Sequence, residues 1–167
     1  MMTQTEQRHV VAALTPSPMR RGAAVVVLVT LGGLSINLGV AAGDASALAR
    51  LALCAFGAAA VWLAVKCWRA TAHGIVLHSD GTIGEGGAGG QALVHVSQIQ
   101  SIARGPFASK PSQGFTLVLN DKQPLAWAPG LWWRVGKRLG LGGVTRAHEG
   151  KIMAEAIEMM RAGLGPK

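Results

Sequence analysis

A chain of 167 residues has room for one modest domain beside a pair of helices, and no more. Half of it is hydrophobic and its mean hydropathy is +0.33, with the excess gathered in the first 68 residues. Sixteen Lys and Arg against eight Asp and Glu give a net charge of +8. That balance alone would suit a nucleic-acid surface, but two long apolar runs assign it to the cytoplasmic face of a membrane instead, and no nucleic-acid partner is expected.

Residues 1–21 are polar, carry Pro16 and Pro18, and read as a loosely ordered cytoplasmic tail ending at Arg20 and Arg21. The stretch 22–68 then reads as a transmembrane helical hairpin, with helices over 22–43 and 45–68 separated by Gly43-Asp44. The first run has the roughly 20 uncharged residues that a bilayer core requires. The second holds Leu51–Val65 between Arg50 and Lys66, whose stems can run along the helix and place their charges among the headgroups. A cleaved signal peptide is the competing reading of the first run. It is longer than the 7–15 residues of a signal h-region, and a second apolar run follows at once. Arg20, Arg21, Lys66 and Arg69 flank one end of the hairpin and Arg50 the other, so both termini are expected in the cytoplasm.

Ser35, Gly39 and Gly43 recur every four residues, and Gly57 supplies a small residue on the second helix. Such faces let helix backbones approach closely. Packing of the two helices on each other is expected, with a homo-oligomer through the same face as the alternative. Cys54 and Cys67 fall on different helix faces and imply neither a disulfide nor a metal site.

From residue 70 to 162 the pattern becomes short strands and turns. Gly74–His78, Thr82-Ile83, Gln91–Val96, Gln98–Ala103, Gly114–Leu119 and Gln123–Ala128 are strand candidates. Ser79-Asp80-Gly81 and Asn120-Asp121-Lys122 read as hairpin turns. Ile99 and Ile102 do not alternate cleanly, which predicts a bulge or a break; 106–113 is loop. Residues 129–144 form a Gly-rich, basic and aromatic loop, after which Thr145 can cap a final helix. Ile152, Met153, Ala156, Ile157 and Met160 share one face of that helix, and Lys151, Glu155, Glu158 and Arg161 the other. Residues 163–167 are a short tail. The fold class is therefore α+β: a transmembrane hairpin, a small antiparallel sheet, and one amphipathic helix closing its apolar side.

This order resembles the bacterial PH-like domain membrane proteins. The likeness rests on the strand Gly74–His78 entering from the membrane, the segment VSQIQSI (Val96–Ile102), the hairpin GFTLVLNDKQPLAWAP (Gly114–Pro129) and the C-terminal helix. It implies a split β-barrel, usually of seven strands, on the cytoplasmic side of a bacterial inner membrane, serving lipid binding, protein docking or complex assembly.

Gly84–Gly89 matches G-x-G-x-x-G, but neither a helix nor an acid about 20 residues on follows, so the dinucleotide reading fails. None of the five histidines stands at a ligand spacing from Cys, Asp or Glu. No cofactor or metal is expected, and the chain reads as non-enzymatic. The functional weight falls on Trp127, Trp132, Trp133, Arg134, Lys137, Arg138 and Arg146, a cluster without an acidic residue. Tryptophan favours the membrane–water boundary, and each cation near an anionic leaflet contributes about 1 kcal/mol. Two roles are open for the cluster: contact with lipid headgroups or a protein partner, or packing in the mouth of the barrel. The expected function is a membrane-anchored binding or scaffold module; the alternative is an accessory subunit or assembly factor of a membrane complex, with the hairpin as its interface.

Overall fold

The computed structural model describes residues 9–43, 45–87, 90–103 and 114–163. Residues 1–8 of the expected tail, Asp44, Ala88-Gly89 of the glycine run, the expected loop 106–113 and the tail residues 164–167 lie outside them.

The chain opens on strand β1, Val10–Leu14, and then enters two 24-residue helices, α1 (Pro18–Ala41) and α2 (Ala47–Ala70). Strands β2 (Ile75–His78), β3 (Thr82–Glu85) and β4 (Ala92–His95) follow. After a one-turn 3₁₀ helix, Val96–Gln98, come β5 (Ile99–Ala103), β6 (Phe115–Ala128), β7 (Trp132–Leu141) and helix α3 (Ala147–Arg161). The strands make two antiparallel sheets, β1-β2-β3-β4 and β5-β6-β7. Their inner faces and α3 enclose one core, whose fully buried members include Leu14, Ile75, Leu77, Leu117, Leu139, Met153 and Ile157.

The expected tail at 1–21 is corrected. Val10–Leu14 pairs with β2 in the register Leu14↔Ile75 to Val10↔His78, across the whole hairpin. Two alternating residues, Ala12 and Leu14, reach the core, and Leu14 is completely buried. The next residues are tied down as well: Pro16 bridges Thr145, and the Thr15 hydroxyl donates to Glu149 Oε1 at 2.6 Å. Proline is tolerated in a first helical turn, so Pro18 starts α1 four residues before the apolar run.

Each helix, at 1.5 Å per residue, is about 36 Å long, and both are long and apolar enough to cross a membrane. They pack through small residues. Gly32, Ser35 and Gly39 of α1 and Gly57, Ala60, Ala64 and Cys67 of α2 are buried. A Cβ on Gly32 would stand 2.8 Å from the Gly57 carbonyl oxygen, and one on Gly57 2.6 Å from that of Gly32. Ser35, Gly39 and Gly57 therefore serve the contact within the hairpin, with Gly32 as an unanticipated member. Gly43 does not join them: it lies beyond the end of α1, with nothing near its Cβ position. Arg50 reaches back to cap α1, donating from Nε to the Gly39 carbonyl at 3.1 Å and from Nη2 to that of Val40 at 3.3 Å. A cation there also meets the negative end of the helix dipole.

Two more readings are corrected. Asn120-Asp121-Lys122 is no turn; β6 runs through it, and the three exposed residues sit in an irregular stretch between the pairs Val118↔Arg138 and Gln123↔Gly136. The turn comes at Pro129-Gly130-Leu131, where Gly130 takes φ +80°, and the supposed loop 129–144 supplies β7. Thr145 does not cap α3 either: its hydroxyl is buried and has no hydrogen-bond partner among the described residues, while Arg146 occupies the cap position. The bulge expected in β5 is present, between Ile99 and Ser101. On α3, Met153, Ala156 and Ile157 are buried as the spacing indicates, but Ile152 is exposed.

The Gly32–Gly57 crossing makes a directional prediction. Alanine favours helix over glycine by about 1 kcal/mol, so propensity alone makes Gly32→Ala and Gly33→Ala equally stabilising. Only Gly33 has open space at its Cβ. Thermal unfolding of the full chain in detergent should show Gly33→Ala unchanged or raised, and Gly32→Ala lowered by about 1–3 kcal/mol from overpacking.

Candidate functional site

Strand parity divides the Trp and basic cluster. Beyond the Pro129-Gly130 turn, Ala128 pairs with Trp132, Trp127 with Trp133, and Ala126 with Arg134. Alternate residues face opposite sides of a ribbon, so Trp132 and Arg134 point inward, and Trp127 and Trp133 outward.

The inward pair closes the domain. Trp132 Nε1 donates to Glu85 Oε1 on β3 at 2.7 Å. Arg134 is 8% exposed; its Nη1 donates to the Leu93 carbonyl on β4 at 3.2 Å, and its Nε to the Pro124 carbonyl on β6 at 3.1 Å. The two side chains thus tie the β5-β6-β7 sheet to the β1–β4 sheet. The expectation that Trp132 and Arg134 stand at a lipid or partner surface is corrected in position: both side chains are buried in the seam between the sheets and bond across it. Glu85, inside the glycine run, is the acid that the cluster lacked locally; only the fold brings it to Trp132.

The outward face is different. Trp127 and Val135 are each 54% exposed and Leu125 75%; with half-buried Trp133 they make an apolar strip along the β6–β7 ribbon. Lys137 and Arg138 stand exposed farther along β7, and Lys122 on β6. Arg146 is exposed elsewhere, ahead of α3, with Nη1 3.8 Å from Glu149 Oε1. It is not part of the ribbon.

This ribbon meets the helices. Trp127, Trp133 and the Pro129-Gly130 turn share an apolar groove of about 410 Å³ with Ala24 and Leu28 of α1 and Leu63 and Cys67 of α2. The same end of the hairpin carries Arg21, stacked 3.8 Å over the Trp68 ring and donating to the Trp68 carbonyl at 2.7 Å. Lys66 lies 5.4 Å from the Trp62 ring centre. Four tryptophans and at least two cations therefore ring the junction of helices and domain.

A second concavity, of about 540 Å³, lies at the far end of the sheet. β2 leaves the helices at Ile75 and reaches it at the Ser79–Gly81 turn, opposite the end of α3. There His95 Nε2 lies 2.7 Å from the Asp80 carbonyl oxygen, which can only accept. That nitrogen carries the proton, and Nδ1 accepts from the Ser97 amide at 3.2 Å and the Ser97 hydroxyl at 2.8 Å. The resemblance to a nucleophile–base pair is superficial. With the Gln98 side chain on the His95 amide, these bonds form the capping box of the 3₁₀ turn. Among the described residues no group of three or more His, Cys, Asp or Glu is placed to hold a metal ion.

Arg134→Ala should leave the buried Leu93 carbonyl without its side-chain donor, at about 1–3 kcal/mol, whereas Lys137→Ala and Arg138→Ala should stay within about 0.5 kcal/mol of the parent. Chemical denaturation of the full chain, followed by tryptophan fluorescence, tests the contrast.

Comparison of the chain with protein-family profiles, with curated proteins and with solved structures gave no match.

Proposed function

We propose that this protein is a membrane-anchored, non-enzymatic binding module. Its hairpin spans the bacterial inner membrane, and its sheet-and-helix domain is PH-like and lies on the cytoplasmic face. The observation that carries the reading is the position of the outward tryptophans. Trp127 and Trp133 share a groove with the domain-end turns of both apolar helices, so a bilayer around those helices brings the β6–β7 strip to its surface. Interfacial tryptophan is favoured there, and Lys122, Lys137 and Arg138 extend from the same ribbon toward anionic headgroups.

Three further features support it. Only 17% of the most apolar window of each helix is buried within the protein, unlike the core helix of a water-soluble fold. The cations near the helix ends, Arg20, Arg21, Lys66 and Arg69, cluster at the domain end, while Arg50 at the other end is bound to α1 carbonyls. Among the described residues, seven strands and one C-terminal helix have the composition of a PH-like barrel, with the hairpin inserted after the first strand. The small-residue face that an accessory-subunit reading would use is already occupied inside the hairpin.

The test uses the full chain, because a fragment starting at residue 70 lacks β1. It should stay in the membrane fraction through an alkaline wash, and a reporter fused after Lys167 should be active only in the cytoplasm. A polarity-sensitive dye on Leu125→Cys, with the native cysteines replaced, should report an apolar setting in anionic vesicles. Replacing Lys122, Lys137 and Arg138 by Ala should shift that signal toward water at low salt. A soluble chain, or a dye at position 125 that reads bulk water, refutes the proposal.

A further inference from the structure

The groove between the hairpin and the β6–β7 ribbon has the wrong chemistry for water and the right depth for hydrocarbon. Its volume of about 410 Å³ falls within the 300–1,000 Å³ of small-ligand pockets. None of its lining side chains carries a charge, a hydroxyl or an amide, and the Trp132 N–H is already committed to Glu85. Water gains few hydrogen-bond partners from such a lining, and needs two to four.

Depth follows from the helices. The uncharged stretch of α1 begins at Gly22, which places Ala24 and Leu28 about 3 and 9 Å further along the axis at 1.5 Å per residue. On α2, Leu63 precedes Lys66 by about 4.5 Å on the same rise. The groove therefore begins where the charged residues of both helices end, and it runs inward beside their apolar turns.

Building on the membrane reading above, we propose that this groove holds one acyl chain of a lipid from the leaflet facing the domain, with Trp127 and Trp133 closing over it. Lipid tails are the abundant apolar material at that level. A lining whose side chains are aliphatic and aromatic, with no charge, hydroxyl or amide, recognises the tail and leaves the headgroup unselected.

The experiment places the full chain in vesicles whose phosphatidylcholine carries a photoreactive diazirine partway along one tail, and maps the crosslinks by mass spectrometry. Labelling is expected on the lipid-exposed turns of α1 and α2 and, within the domain, on the β6–β7 strip, most strongly at Trp127–Trp133. Ala24→Trp, which fills the groove, should lower ribbon labelling at least fivefold and leave helix labelling as it was. Val27→Trp, at a position already 63% exposed, should change neither. Replacing phosphatidylcholine by phosphatidylglycerol with the same labelled tail should give the same pattern. Labelled helices with an unlabelled ribbon, or ribbon labelling that persists in Ala24→Trp, overturn the groove while leaving the membrane anchor standing. Unlabelled helices overturn both.

Discussion

The pairing of β1 with β2 is the constraint from which the rest of this architecture follows. Four residues of the strand before the hairpin pair with the four residues of the strand after it, so α1 must leave the sheet, and α2 must return to it, at the same place. The contact is reinforced on both sides. Leu14 and Ile75 are partners and both fully buried; Arg21 holds the Trp68 carbonyl, joining the first turns of α1 to the last of α2; Thr15 is held by Glu149 of α3. The hairpin is thus an insertion into the domain rather than an anchor attached to its front. Domain and helices share their first strand, and neither is a separable unit.

The same constraint explains what was legible in the sequence. The helices announce themselves by length and lack of charge, and α3 by its 3.6-residue period. The strands β2, β4 and β5 follow from β-branched and apolar runs between turn residues. β1 was not legible, because VVAAL is five residues long, contains two alanines, and stands before two prolines that read as a break. Its partner lies beyond two 24-residue helices and their connectors, so no local pattern identifies it. β7 was hidden differently. An inward strand position normally carries an apolar residue, but Arg134 takes one, and a glycine with φ +57° at Gly136 resets the alternation before Leu139 and Leu141. The expected turn at Asn120-Asp121-Lys122 gave way to one at Pro129-Gly130, just past β6, where glycine meets the left-handed geometry at low cost.

The candidate site shows the limit of reading clusters by proximity in sequence. Trp132, Trp133 and Arg134 are consecutive, yet the pleat sends the middle one outward and the others into the seam between the sheets. The aromatic and basic composition was visible; its division into closure and surface required strand pairing. Once divided, the surface part is less basic and more apolar than the cluster suggested. It consists of Leu125, Trp127, Trp133 and Val135, with the cations set back along the ribbon.

Magnitudes decide what must cover the helices. Eight large apolar side chains on α1, from Met19 to Val40, and six on α2, from Leu48 to Trp68, are between 45% and 86% exposed. Taking about half the burial energy of a full side chain, roughly 1 kcal/mol each, their hydration costs over about 10 kcal/mol. That is comparable with the entire 5–15 kcal/mol that stabilises an ordinary domain. The helices cannot recover it from each other, because their mutual contact runs through glycine, serine and alanine, which bury little apolar area while bringing the backbones together. A hairpin that packs tightly through its smallest residues and turns its largest outward has the surface that the proposed membrane placement calls for. The strip on the β6–β7 ribbon continues that outward surface onto the domain.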